Sequence, residues 1–456
     1  MTLLFVLFGL LAISYFGYLL ILNIDNKLNI LEYLSLGYLL GLGVFTYLMF
    51  FSNLAGFAYN FVNILGLLII LVLLFAFLLK FRKIKLTQKI KFKKLKLDKN
   101  EKIFLFAILF VSSMIFIASL YWPVKDWDSL VLYDFRAKVF LDTGFMEKAI
   151  EEGYFFGYPL MTSLSHLLVY LFGFKQPGII HSLFYICFLL ISFSHLKDEL
   201  ERKQALFWTM ILSLTPELFG PANMTYSNLA YTVYLLISLL YLLKWAESNK
   251  DSYLLISALL LGLSTWVRSS EPFWLILVIF VWIISWTRKK WYLLITYPSI
   301  VYAFLYPWSR FEKLHNAEVA SALNRIPQFS ALLVKGFDIS NFISVIKYFY
   351  LHIIFPNKLI YLLFVLISIL LWQKRRRAKL THWLPIFFVL FSLGITFMGI
   401  YLFSLFYEDW GNIGGSATRM TMFIVPSIIY SAALIINLAN KELKILNLIL
   451  QKMRKS

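Results

Sequence analysis

The chain has 456 residues, of which 61% are hydrophobic and 15% charged, with a formal net charge of +19. Soluble domains carry about 25% charged residues, so this composition excludes a soluble enzyme and points to a polytopic membrane protein. The positive excess sits in a few short segments and not on one broad surface, so anionic lipid headgroups, and no nucleic acid, are the expected partners of the basic loops.

Three spans are expected near residues 3–22, 30–52 and 61–79. The first lacks a basic leader and a small-residue cleavage site, so it reads as a retained helix. Lys80 to Lys102 then places eleven Lys and Arg against only Asp98 and Glu101. Such a loop belongs in the cytoplasm by the positive-inside rule. Residues 1–102 therefore read as three N-terminal helices with a basic loop, and residues 103–456 as the main membrane module.

The fourth span, Ile103 to Tyr121, must run outward, which leaves the charged stretch Trp122 to Gly144 outside. Later basic segments at 197–203, 288–290 and 374–379 constrain the rest of the chain. They all fall inside only if the apolar piece from Tyr158 to Gly173 lies in the interface or dips in without crossing. Spans then come near 178–196, 205–219, 228–245, 252–267, 272–287, 291–307, 359–372, 383–403 and 419–438. The fold class expected is an all-α polytopic membrane protein of about thirteen transmembrane helices with external juxtamembrane helices. External loops fall at about 122–177, 308–358 and 404–418, with a short segment at 220–227 and a tight turn at 268–271. Within the long loop, Asn341 to Phe355 has the pattern of an interfacial helix on the outer leaflet. Cys187, alone in an apolar helix, reads as a packing residue and excludes an intrachain disulfide.

The polar residues beside spans collect on that external side, although the topology rests on basic loops alone. Asp126 and Asp128 follow the fourth span; either carboxylate can act as general base toward a hydroxyl, and either can instead cap the next helix. Arg136 and Lys138 lie on that helix, where cations hold phosphate or else snorkel and pair with Asp134 and Asp142. Arg268 and Glu271 interrupt a long apolar run, as a paired turn or as the lining of an external cavity. Tyr158 and His166 accompany the short apolar piece, Tyr226 and Asn228 open a later span, and Glu408, Asp409 and Arg419 flank the last one. Arg419 is a further phosphate candidate, with snorkelling as its plain alternative. Asn223-Met-Thr225 matches a glycan-acceptor pattern too short to weigh. No CxxC or HExxH spacing appears, so neither a metal nor another cofactor is expected.

Taken in order, the segments WDSLVLYDFRAKVFLDTG, a Tyr-Pro helix ending in LFG, TPELFGPANMTYSNLAY, VRSSEPFW and SATRMTMFIVP resemble the GT-C integral-membrane glycosyltransferases. The likeness is to the protein-mannosyltransferase and aminoarabinose-transferase-like group and covers Ile103 to Leu438, with the first three helices as an addition. It implies a polyprenyl-phosphate-linked sugar donor, a glycan, lipid or protein acceptor, and inverting transfer on the outer face of the plasma membrane. In the resemblance Asp128 aligns with the catalytic base, with Asp126 as its alternative. Arg136, Lys138, Arg268 and Arg419 would hold the donor phosphate, and Tyr158, His166, Glu271 and Asn228 would line the cavity. Two departures stand out: Ser129 follows Asp128 where relatives often carry a second acid, and Ser227-Asn228 stands where they often carry Ala-Asp. The competing readings are a lipid-linked glycan ligase or polymerase and, from another class, a transporter. The transporter would want two related halves and charges near the midplane, and neither is seen.

Overall fold

A computed structural model of the chain describes residues 2–84, 96–151, 158–315, 336–407, 410–413 and 418–453. Among these residues every regular element is helical. Helix α1 (Thr2–Ile24) is followed by α2 (Ile30–Leu54), α3 (Phe61–Phe81) and α4 (Lys99–Tyr121). Local chemistry sets their starts: Asn29 with Glu32, and Asp98 with Glu101, form reciprocal capping boxes at the heads of α2 and α4. Helices α1 and α2 cross on glycine because nothing larger fits. A Cβ on Gly17 would lie 2.0 Å from the carbonyl oxygen of Gly37, and one on Gly41 would lie 2.3 Å from that of Ile13.

After α4 the chain makes a π-helical turn, Ser129–Asp134, which leads straight into α5 (Phe135–Thr143). Helix α5 stops at Gly144, whose φ of 76° suits a residue without Cβ. Helices α6 (Met146–Glu151), α7 (Met161–Leu171) and α8 (Gly178–Glu199) come next. The α7 segment, expected in the interface or dipping in, is enclosed by protein: every residue from Met161 to Val169 is buried. Its 11 residues reach only about 16 Å, half the thickness of a hydrocarbon core.

The remaining helices are α9 (Arg202–Ser213), α10 (Pro216–Phe219), α11 (Ser227–Ser248), α12 (Asp251–Val267), α13 (Trp274–Thr287) and α14 (Leu293–Leu314). They are followed by α15 (Ile339–Phe349), α16 (Lys358–Gln373), α17 (Leu380–Ser404) and α18 (Thr421–Met453). Among the described residues eight helices are long and apolar enough to cross a membrane: α1 to α4, α8, α11, α17 and the Thr421–Lys441 part of α18. The expected spans at 205–219, 252–267, 272–287 and 359–372 correspond to shorter helices, and 291–307 to α14, which carries Pro298 and Pro307. At 205–219 the cause is local, since Pro216 holds Thr215 extended and divides the segment into α9 and α10. Helix α15 continues as a π turn to Ile354 and meets α16 at 96°, a bent pair that makes a ninth span if it crosses as one.

One apolar core runs from Val6 to Ile435, so packing is continuous across residue 102. Buried tyrosines tie α2 into it: Tyr38 donates to the Ile180 carbonyl at 3.1 Å, and Tyr234 donates to that of Leu39 at 2.6 Å.

Candidate active site

Polar side chains from distant segments meet where α4 ends and α11 and α18 begin. Asp128 enters the π turn with no side-chain capping bond. Its Oδ2 instead accepts from Arg419 Nη1 at 2.7 Å, across 291 residues of sequence. Both side chains are about one-third exposed, 34% for Asp128 and 31% for Arg419, so the pair is reachable from outside the protein. The Arg419 guanidinium lies over the Tyr226 ring at 5.1 Å. Burial pushes the Tyr226 phenol up, and the charges of Asp128 and Asp126 push the same way, against Arg419; Asp126 thus bears on the same ring.

Behind Tyr226, the adjoining Ser227 and Asn228 face the 268–271 turn. Arg268 donates through Nε to Glu271 Oε1 at 2.6 Å, and Nη2 pairs with the same oxygen. Nη1 donates to Ser227 Oγ and Asn228 Oδ1, each at 3.2 Å, and Nη2 donates to the Tyr158 hydroxyl at 3.4 Å. Its guanidinium also stacks over the Tyr158 ring at 4.8 Å. The turn is therefore an ion pair that also ties the head of α11 to Tyr158. Ser227 Oγ lies 2.6 Å from the Tyr133 hydroxyl, which ties the π turn into the same network.

Arg136, expected at the donor phosphate, is 1% exposed and already engaged. Nε donates to Ser163 Oγ at 3.0 Å and Nη1 to the Tyr158 carbonyl at 2.9 Å, so the guanidinium holds the backbone of the residue whose ring faces Arg268. Burial lowers its pKa to about 10. Lys138 is exposed and pairs with Asp134 at 2.7 Å, one turn earlier. Burial opposes the Asp134 charge, but His166, Lys138 and the Tyr170 hydroxyl outweigh it and hold the carboxyl at about 2. His166, expected to line the cavity, is fully buried and lies 3.5 Å from Asp134 and 3.4 Å from His181 Nε2.

Of the expected site residues, the structure brings Asp128, Arg419, Arg268, Glu271, Asn228 and Tyr158 together around Tyr226 and Ser227. Arg136, Lys138 and His166 form a supporting layer with Asp134. Glu408 and Asp409 lie outside the described residues. Sequence reasoning missed Tyr133, Ser163, Tyr170, His181 and Ser227. Their one signal was a polar residue inside or beside an apolar run, which many unrelated positions share. Among the described residues no group of three or more His, Cys, Asp or Glu is arranged to hold a metal ion.

The chain is thus of the polytopic membrane class and helical throughout its described residues, with a paired carboxylate and guanidinium where α4 ends and α11 and α18 begin. No family model, no curated protein and no solved structure matches it.

Proposed function

We propose that this protein is a GT-C-like glycosyltransferase of about thirteen spans that moves a sugar from a polyprenyl-phosphate donor to an acceptor on the external face of the membrane. The resemblance of the motifs from Trp127 to Pro426 supports the reading. The observation that carries it is the Asp128–Arg419 pair, a partly exposed carboxylate and guanidinium 2.7 Å apart at the edge of a polar network.

The pair separates the two tasks the reaction needs. Incoming lipid phosphate takes the Arg419 guanidinium, whose fork matches phosphate oxygens. Asp128 is then released to accept the proton of an acceptor hydroxyl. The acceptor oxygen attacks the anomeric carbon from the face opposite the phosphate; the carbon–oxygen bond breaks, and polyprenyl phosphate departs with the electron pair. The anomeric configuration inverts. Phosphate leaves as a stabilised anion, so cation contacts from Arg419 and Arg268 serve in place of a general acid. Arg136 acts as a positioning residue through Tyr158, and Asp126 is the alternative base.

The test is transfer of radiolabelled sugar from polyprenyl phosphate by the detergent-purified protein and by Asp128→Asn and Asp126→Asn. Loss of at least a hundredfold in Asp128→Asn with retention in Asp126→Asn supports the assignment, in line with the ~10²–10⁴-fold contributed by a general base. Full activity in both variants rules it out.

A further inference from the structure

The opposite end of α11 carries a second polar assembly. Lys244 lies ~25 Å along the helix from Ser227, at about 1.5 Å per residue. There a chamber of about 200 Å³ opens between the ends of α8, α11, α17 and α18, and His195, Asp198, Glu199, Lys244, Glu247 and His382 line it. That is smaller than the ~300–1,000 Å³ of a pocket for a whole drug-sized molecule, and is closer to the size of a headgroup.

Its charges are not closed. Buried Glu32 accepts from Lys244 Nζ at 2.7 Å and from the Tyr241 hydroxyl at 3.0 Å. The same ammonium reaches Asp198 at 2.8 Å, so one cation serves two carboxylates. Glu247 pairs with Lys379, and Lys441 donates to the Glu199 backbone carbonyl at 3.4 Å, so the two chamber-lining carboxylates Glu199 and Glu247 stand beside one ion-paired ammonium. An independent sign comes from His195, which lines the chamber at 3% exposure. Its Nε2 makes no hydrogen bond among the described residues, the Glu32 carboxylate being 3.6 Å away. Beneath the chamber lies an apolar void of about 20 Å³ beside Pro385 and Pro426, and Leu240 and Tyr430 line both spaces.

From this arrangement we propose that the chamber binds the headgroup of a membrane lipid that carries a primary ammonium. The ammonium sits on Glu199 and Glu247 as a second cation beside Lys379. One turn deeper, the phosphate takes the place of Asp198 on Lys244 and accepts from His195. The tail leaves past Leu240 and Tyr430, where the adjoining void marks loose packing. A free amine would share the ammonium chemistry but would leave the apolar wall unused. A divalent cation lacks the set of three or more ligating side chains it needs, which is absent among the described residues. The proposal does not rest on glycosyl transfer.

The experiment is native mass spectrometry of the delipidated full-length protein, titrated separately with short-chain phosphatidylethanolamine, short-chain phosphatidylglycerol and free ethanolamine. Phosphatidylethanolamine is expected to bind at least tenfold more tightly than either of the others. Glu199→Gln combined with Glu247→Gln should erase the preference over phosphatidylglycerol, and Leu240→Trp should weaken phosphatidylethanolamine alone. Equal or tighter binding of phosphatidylglycerol to the unmodified protein overturns the proposal, as does free ethanolamine that matches the lipid. Both of those results are read without any variant having to fold.

Discussion

Replacing Glu271 with Gln tests whether the 268–271 turn is held by charge. Arg268 and Glu271 are each only about one-tenth exposed, at 9% and 10%, so removing the carboxylate strands a guanidinium away from water. Breaking such a pair from one side costs about 3–5 kcal/mol. The Gln amide oxygen still accepts from Nε, which sets the expectation near the lower figure. Removing both charges in an Arg268→Met, Glu271→Met double variant leaves no charge buried without a partner. It gives up bonds of 3.2 to 3.4 Å to Ser227, Asn228 and Tyr158. At this length they sit at the weak end of the ~0.5–1.5 kcal/mol range, for a total of roughly 1–2 kcal/mol. The double variant should therefore be more stable than the single one. Thermal unfolding in detergent reads the order. Domains of 150–250 residues lose about 2–4 °C per kcal/mol and larger chains less, so Glu271→Gln should fall by at least about 3 °C. A single variant as stable as the parent, or a double variant less stable than the single, would refute the buried-pair account.

Asp134 should give a pH-dependent difference. Its carboxyl is held at about 2 in the folded protein against an unperturbed 3.8, so its contribution is fully present above pH 4 and lost as pH falls toward 2. Asp134→Asn should cost about 2–3 kcal/mol at neutral pH, and its deficit against the parent in thermal unfolding should shrink below pH 4. Gly41→Val should separate α1 from α2, since even a Cβ there meets the Ile13 carbonyl at 2.3 Å; a sharp drop in folded yield on size exclusion is the expected readout. In a Cys187→Ser background, an impermeant maleimide should label Lys125→Cys in intact cells and Arg375→Cys only after the membrane is opened. Labelling of Arg375→Cys in intact cells, or of Lys125→Cys only after opening, would overturn the topology read from the basic loops.

Some of this organisation was legible in the sequence, and its limits have physical causes. Composition and run length are enough for the helical membrane class, and basic loops are enough for an expected sidedness. The collection of Asp128, Arg268, Glu271 and Arg419 at one end follows from the same counting. The partners could not be read. Asp128 and Arg419 are separated by 291 residues, and nothing local favours that pairing over Asp128 as a helix cap. Arg136 reads from sequence as a phosphate holder or a snorkelling cation, yet tertiary packing against α7 encloses it. The α7 segment itself looked interfacial because hydropathy cannot tell a lipid neighbour from a protein one. Glu32 and Lys244 lie within expected spans and pair across them, a signal the charge pattern did hold.

The central claim is that Asp128 and Arg419 divide one site between proton acceptance and phosphate binding. Equilibrium binding of polyprenyl phosphate to the purified protein measures that division directly. Arg419→Ala removes a charge-assisted contact worth about 1.5–3 kcal/mol and should weaken binding at least tenfold. Asp128→Asn removes a negative neighbour and releases Arg419, so it should bind polyprenyl phosphate as tightly as the parent or more so. Equal losses in both variants, or parental affinity in Arg419→Ala, would contradict the account.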